Sequence, residues 1–217
     1  MKKTLLIILN VLIYQLLTGQ TGNNASLAGD PFCEMVKTLW HCDALSFRSQ
    51  YTEKELFETG TVTTYARVTV KKTGRDLTFL HIVPENDSQE LLFCMDSAWL
   101  VTHEEKKLSL IGTGTGNLDH YILSHFFPFT LYNIDTAISS VVPFWTVIQQ
   151  TEDFTVFSLN NINAPKEVSD VRVEFTIRNA DLLPHKTYQE SVYMKMDRTS
   201  LEQVFTEYSL PAPESVL

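Results

Sequence analysis

Cysteine is scarce: three residues, Cys33, Cys42 and Cys94, in a chain of 217. Three are too few for a scaffold built on disulfides at this length. Cys33 and Cys42 stand nine positions apart on one predicted helix, about 13 Å along its axis, too far to bridge. Two arrangements fit: one of them pairs with Cys94, or all three are buried thiols. Basic residues are also in short supply. A net charge of −9 disfavours nucleic acid and anionic headgroups as partners, since both require a basic footprint. Catalytic signatures are missing too. There is no G-x-S-x-G elbow and no C-x-x-C pair, so nucleophilic and redox chemistry have no visible engine. The six histidines show no metal-ligand spacing. His120 and His125 are five apart, which splays them around a helix. Gly112, Gly114 and Gly116 match neither dinucleotide nor P-loop spacing and read as a hinge. The acidic pairs Glu104-Glu105 and Glu152-Asp153 fall at predicted hairpin tips, where solvated turn residues are the expected role. The chain therefore reads as non-enzymatic, with no metal and no cofactor.

No apolar run is long enough for a membrane-spanning helix. The run from Leu5 to Leu17 has about 13 residues against the ~20 required. It follows Lys2 and Lys3 and precedes Thr18-Gly19-Gln20, the layout of a cleaved secretory signal over residues 1–20. Removing the leader's two lysines from the 17 basic residues leaves 15 against 26 acidic ones, a net charge of about −11. Residues 21–29 are small and polar and read as a flexible tether. Asn24-Ala25-Ser26 and Asn86-Asp87-Ser88 match the glycosylation acceptor pattern, which has meaning only on a eukaryotic secretory route.

What the mature chain does contain is one helix and a long series of strands. Asp30 and Pro31 form a helix start, and Phe32, Met35, Val36 and Leu39 make one apolar stripe of a helix ending near Asp43. Strand patterns follow over 45–51, 61–71, 77–83, 91–95, 99–102 and 108–111, with a tight turn at Asp96-Ser97. Two helical stretches then begin at Asn117 and Asn133 and end at Pro128 and Pro143, flanking the apolar Phe126-Phe127-Pro128-Phe129. Strands resume over 146–150, 154–160, 171–179, 185–196 and 204–209. Residues 210–217, with Pro211-Ala212-Pro213, resemble a linker.

The pattern predicts a mainly β protein with some helix (α+β), a locally connected meander of about 10–11 antiparallel strands. Its aromatic residues fill a core or line a cavity left by a curved sheet that helices cover. The candidate cavity residues are Phe47, Phe79, Phe93 and Trp99 on strands. On the insert they are Tyr121, Ile122, Phe126, Phe127 and Phe129.

The order of elements resembles the LolA/LolB-like periplasmic lipoprotein-carrier family over 30–209. The resemblance is most specific from Thr61 to Ile111. There a long strand ends in Lys71-Lys72 and is followed by Leu77 to Val83, a proline loop, and the hairpin Met95-Asp96-Ser97-Ala98-Trp99-Leu100-Val101. That hairpin is similar to the family's Asp-Gly turn with a downstream tryptophan. The resemblance implies an unclosed β-barrel with an N-terminal helix and a two-helix lid, and an apolar interior that accepts a lipid or lipoprotein acyl chain. It also implies a periplasmic or secreted location and an envelope protein as a further partner. Where carriers place an arginine that ties the lid, this chain has Lys72, whose ammonium lacks the planar fork that makes such a tie directional. A divergent relative, of the kind found alone or ahead of a thioredoxin-like domain, fits this pattern. The alternative is an interaction module whose core is filled by its own side chains.

Overall fold

The computed structural model describes residues 31–54, 60–73, 76–85, 88–114, 145–159, 166–194 and 196–209. It contains helix α1 (Pro31–His41) and strands β1 (Ala44–Lys54), β2 (Val62–Thr73), β3 (Asp76–Pro84), β4 (Gln89–Cys94), β5 (Ser97–Thr102) and β6 (Lys107–Thr113). The second half supplies β7 (Trp145–Gln150), β8 (Phe154–Leu159), β9 (Val168–Arg178), β10 (Leu183–Tyr193) and β11 (Asp197–Ser209). Every strand expected from the sequence is present. The two insert helices and the candidates Tyr121, Ile122, Phe126, Phe127 and Phe129 lie outside the described residues.

The strands form one 11-stranded sheet in the order β6-β5-β4-β3-β2-β1-β11-β10-β9-β8-β7. Neighbours are consecutive in sequence except where β1 meets β11, so two meanders share one sheet. The order starts at β6 and ends at β7, so hydrogen bonding does not close it into a barrel. β2 pairs with β3, and β9 with β10, in antiparallel register.

The chain divides into two compact units. One comprises residues 1–39, 52–63 and 133–204; the other comprises residues 40–51, 64–132 and 205–217. In the first, α1 turns its apolar stripe inward, with Phe32, Met35 and Leu39 all buried. The Phe32 ring stacks on Trp145 at 5.1 Å between centroids and meets Phe157 and Phe175 edge-on at 5.3 and 5.5 Å. In β9 the alternation expected from the sequence is met: Val173, Phe175 and Ile177 are buried and the residues between them are not.

In the second unit, β1 buries Leu45, Phe47, Ser49 and Tyr51 in alternation. Cross-strand rows carry the packing onward. Val70 faces Leu80, which faces Phe93, which faces Ala98. All four are buried. Directly opposed residues in a sheet point to the same side, so this row forms one continuous buried face.

Two boundaries differ from the sequence reading. The β4–β5 turn is Met95-Asp96, with φ of 50° and 58°, and Cys94 pairs with Ser97. Two central residues in the left-handed region match the tight turn that a two-residue hairpin requires. A two-residue turn at Asp96-Ser97 would keep every residue on its side of the sheet but set Phe93 opposite Leu100 and Met95 opposite Ala98. The observed turn places the bulky Phe93 opposite the small Ala98, and Met95 takes a positive φ to allow it. β10 also stops at Tyr193, with Met194 and Met196 in the turn, and β11 begins seven residues before the expected 204. Arg198, Thr199 and Ser200 hide that start, because a polar run carries no strand alternation.

Candidate functional site

The four strand candidates do not share one face. Phe93 lies on the buried row and is 1% exposed. Phe47 is also buried, against Phe205 and Tyr208, each at 5.6 Å between ring centroids. Phe79 pairs with Cys94, and Trp99 pairs with Leu92 and Leu110. Those partners are one residue out of step with Phe93 and Ala98, so Phe79 and Trp99 point to the opposite side of the sheet and are half-buried. Along that side Leu92, Trp99 and Leu110 form an apolar row whose outer end, Leu110, is 54% exposed. Lys71 lies over the Phe79 ring at 5.6 Å.

Lys72 turns the other way. A bulge between Lys71 and Lys72 places it beside Leu77, and its residue is only 8% exposed, on the strand face that carries Val68 and Val70. Its backbone N–H donates to the Asp43 carbonyl at 2.7 Å. Burial lowers the ammonium from the usual lysine range, and the nearby Cys42 and Asp43 work in the opposite direction. The sequence singled out this position; its inward direction follows from the β2 alternation Ala66, Val68, Val70, Lys72, and the bulge on β3 sets only its partner, Leu77.

Charge on the outer surface is organised in pairs. Arg48 grips Glu85 with two bonds of 2.8 Å and covers the Tyr65 ring at 4.8 Å. The Glu85 N–H also donates to the Tyr65 carbonyl at 2.7 Å, so one side chain fastens β1, β2 and the end of β3. Hydrogen bonds from Arg48 hold the Glu85 carboxyl below its usual range.

A histidine–carboxylate cluster was not legible from spacing. Glu90 takes His81 Nε2 on one oxygen at 2.7 Å and His103 Nε2 on the other at 2.6 Å. The register explains it: His81 is opposite Leu92 and Val101 is opposite Glu90, so both histidines sit on diagonals from Glu90. Among the described residues no group of three or more His, Cys, Asp or Glu side chains is placed to hold a metal ion. Burial pushes the Glu90 carboxyl up, but the bonds from His81 and His103 outweigh it and hold the group below its usual range near 4.5. A folded-state value below the unfolded one means stability is fully present above the unfolded range and is lost as pH falls through the depressed value. Urea melts at pH values between about 5.5 and 3 should show that loss, and Glu90→Gln should flatten it. An unchanged pH slope in the variant would assign the acid sensitivity to other carboxylates.

No disulfide joins the cysteines among the described residues. Cys33 is buried, whereas Cys42 and Cys94 are half-buried, so the picture of three fully buried thiols holds for Cys33 alone. Burial raises the Cys42 thiol, whose Sγ donates to the Ala44 carbonyl at 2.7 Å.

The inner face of β10 and β11 was not singled out from sequence. Thr187, Ser191 and Gln203 are buried there, although β8 and β9 present Phe157, Phe175 and Ile177 on the same side. The strand reads as polar on both faces, so alternation gives no signal for which set turns inward.

No family model matches the chain, and no curated protein matches its sequence. Among solved structures it is similar to a DUF1329 family protein from Desulfovibrio piger, at 10% identity and a TM-score of 0.41 over 85% of this chain and 92% of the other. A putative outer membrane lipoprotein-sorting protein domain from Vibrio parahaemolyticus gives 10% identity and a TM-score of 0.38, covering 86% and 92%. A LolA superfamily protein from Nitrosomonas europaea gives 9% identity and a TM-score of 0.34, covering 84% and 93%.

Proposed function

We propose that this chain is an exported, non-enzymatic carrier or sensor that holds a lipid or acyl chain against the buried face of its open sheet. The observation that carries the reading is a sheet that ends at β6 and β7 without closing, while each unit buries an apolar row on one side of its strands, Val70, Leu80, Phe93 and Ala98 in one and Phe157 and Phe175 in the other. An open sheet can part from what covers it without breaking a ring of strand pairs. The leader-like residues 1–20 and the acidic mature charge suit a soluble protein of the periplasm or cell exterior. Phe47 and Phe93 would belong to the guest-facing set, and Lys72 would be the inward cation that ties the cover. Burial supplies the affinity: at ~25 cal/mol per Å², a few hundred Å² of acyl surface gives several kcal/mol.

One observation favours a second reading, an interaction module with a filled core that docks an envelope protein. Phe32 already occupies the aromatic corner formed by Trp145, Phe157 and Phe175. Titration with the fluorescent apolar probe N-phenyl-1-naphthylamine separates the two. A carrier takes up the probe saturably at about one per chain, and long-chain lipids displace it. A filled module gives no saturable signal, and that outcome rejects the carrier.

A further inference from the structure

From Lys186 to Ser191 the side chains of β10 alternate between the two sides of the sheet. Lys186, Tyr188 and Glu190 face outward, where Lys186 pairs with Glu202 at 2.6 Å and Arg198 pairs with Glu190 at 2.9 Å. On the same outer side Arg172 pairs with Glu174 at 2.6 Å and covers the Tyr188 ring at 5.5 Å. Burial and a hydrogen bond to Glu190 push the Tyr188 hydroxyl up to about 12. The residues between them, Thr187, Gln189 and Ser191, therefore turn inward. Register extends this row onto β11: Thr187 faces Gln203, Gln189 faces Leu201, and Ser191 faces Thr199. Toward β9, Thr187 faces Phe175 and Gln189 faces Val173, both buried and apolar.

Apart from Leu201, this inner row is polar and neutral, and it is largely enclosed. Thr187, Ser191 and Gln203 are 8%, 6% and 4% exposed. Ser191 and Thr199 share a hydrogen bond of 3.0 Å. Gln189 Oε1 is buried and accepts no hydrogen bond. A buried acceptor left unmatched destabilises the fold, so a purely structural role would favour leucine at this position. The charged side chains that form the ion pairs on these strands all stand on the other side. A guest's charged head would find no counter-ion among them.

We propose that Thr187, Gln189, Ser191, Thr199 and Gln203 form a subsite for the neutral, hydrogen-donating head of an amphiphile, with Gln189 Oε1 accepting from its hydroxyl or amide N–H. The proposal deepens the carrier reading and rests on it. A carboxylate at neutral pH has no proton to donate, so a free fatty acid is the wrong head for this site. Alcohols and primary or secondary amides carry the donor, and the two are distinguished by the probes chosen.

The test uses the full chain and measures displacement of bound N-phenyl-1-naphthylamine at pH 8 by monooleoylglycerol, oleamide and oleate, for the wild type and for Gln189→Leu. The wild type should bind monooleoylglycerol or oleamide more tightly than oleate, and whichever of the two binds better identifies the head group. Relative to the dye's affinity for the same protein, Gln189→Leu should bind the preferred neutral lipid about tenfold more weakly than the wild type does. Equal affinity of both proteins for the neutral lipids overturns the subsite while leaving the carrier intact, and so does tighter binding of oleate by the wild type. If the dye itself does not bind the wild type, the carrier reading fails and the subsite with it. Thr187→Val, which keeps the shape and removes one hydroxyl, gives the same comparison should the leucine variant not fold.

Discussion

Replacing Phe32 by alanine is expected to destabilise the protein by about 3–5 kcal/mol. The ring is 1% exposed and meets three other aromatic rings within 5.5 Å between centroids. Its removal loses the transfer free energy of a large apolar group and leaves a cavity that rigid aromatic neighbours cannot close. Stacked and edge-on pairs add roughly 0.5–1.5 kcal/mol each beyond the buried area. Urea unfolding of Phe32→Ala against wild type measures this. Glu34→Ala, on the outer side of the same helix, is the control. Its ion pair with Lys37 has both side chains 41% exposed, and exposed pairs of this kind are worth about 0–1 kcal/mol. A loss below about 1 kcal/mol for Phe32→Ala would mean that α1 does not dock on the sheet as described.

The second large effect separates two aromatic residues that look equivalent in sequence. Phe93→Ala is expected to cost about 3–5 kcal/mol, and Trp99→Ala well under half of that. Phe93 is enclosed between Leu80 and Ala98, both at 0% exposure, so the void left behind is lined by residues that are already close-packed. Trp99 stands on the other side of the sheet between Leu92 and the exposed Leu110, where truncation opens to solvent and creates no enclosed void. The ordering follows from the pairing. Phe93 sits opposite Ala98 on the buried side, and Trp99, one residue further along β5, stands on the other. Equilibrium unfolding of the two variants reads the facing directly, and a larger cost for Trp99→Ala would mean that Trp99 and not Phe93 lies on the buried side.

Much of the fold was legible because period-two alternation is strong where one strand face is apolar. Val173, Phe175 and Ile177 against Arg172, Glu174 and Thr176 leave no doubt about strand or side, and the same holds for Val68 and Val70. The helix start at Pro31 and the stripe Phe32, Met35, Leu39 were equally plain. The misplaced turn had a physical cause. Asp96-Ser97 is the better local turn chemistry, and the cross-strand packing of Phe93 overrides it at the cost of an unusual φ at Met95.

The candidate site was far less legible. Sequence placed Phe47, Phe79, Phe93 and Trp99 together as apolar residues on strands, but which face each occupies depends on register, which one-dimensional pattern does not carry. The polar row at Thr187, Gln189 and Ser191 was invisible for a related reason. Its strand has polar residues on both sides, so no contrast marks the inward set. The Glu90 cluster depends on two diagonal contacts between strands, a relationship that sequence spacing cannot encode.

Native mass spectrometry of the full chain, purified from an exported fraction without organic extraction, addresses the carrier most directly. The expected spectrum contains a species heavier than the protein by the mass of one lipid, lost after delipidation and restored by adding monooleoylglycerol. A spectrum of bare protein alone, unchanged by added lipid, would mean that the buried face accepts no guest.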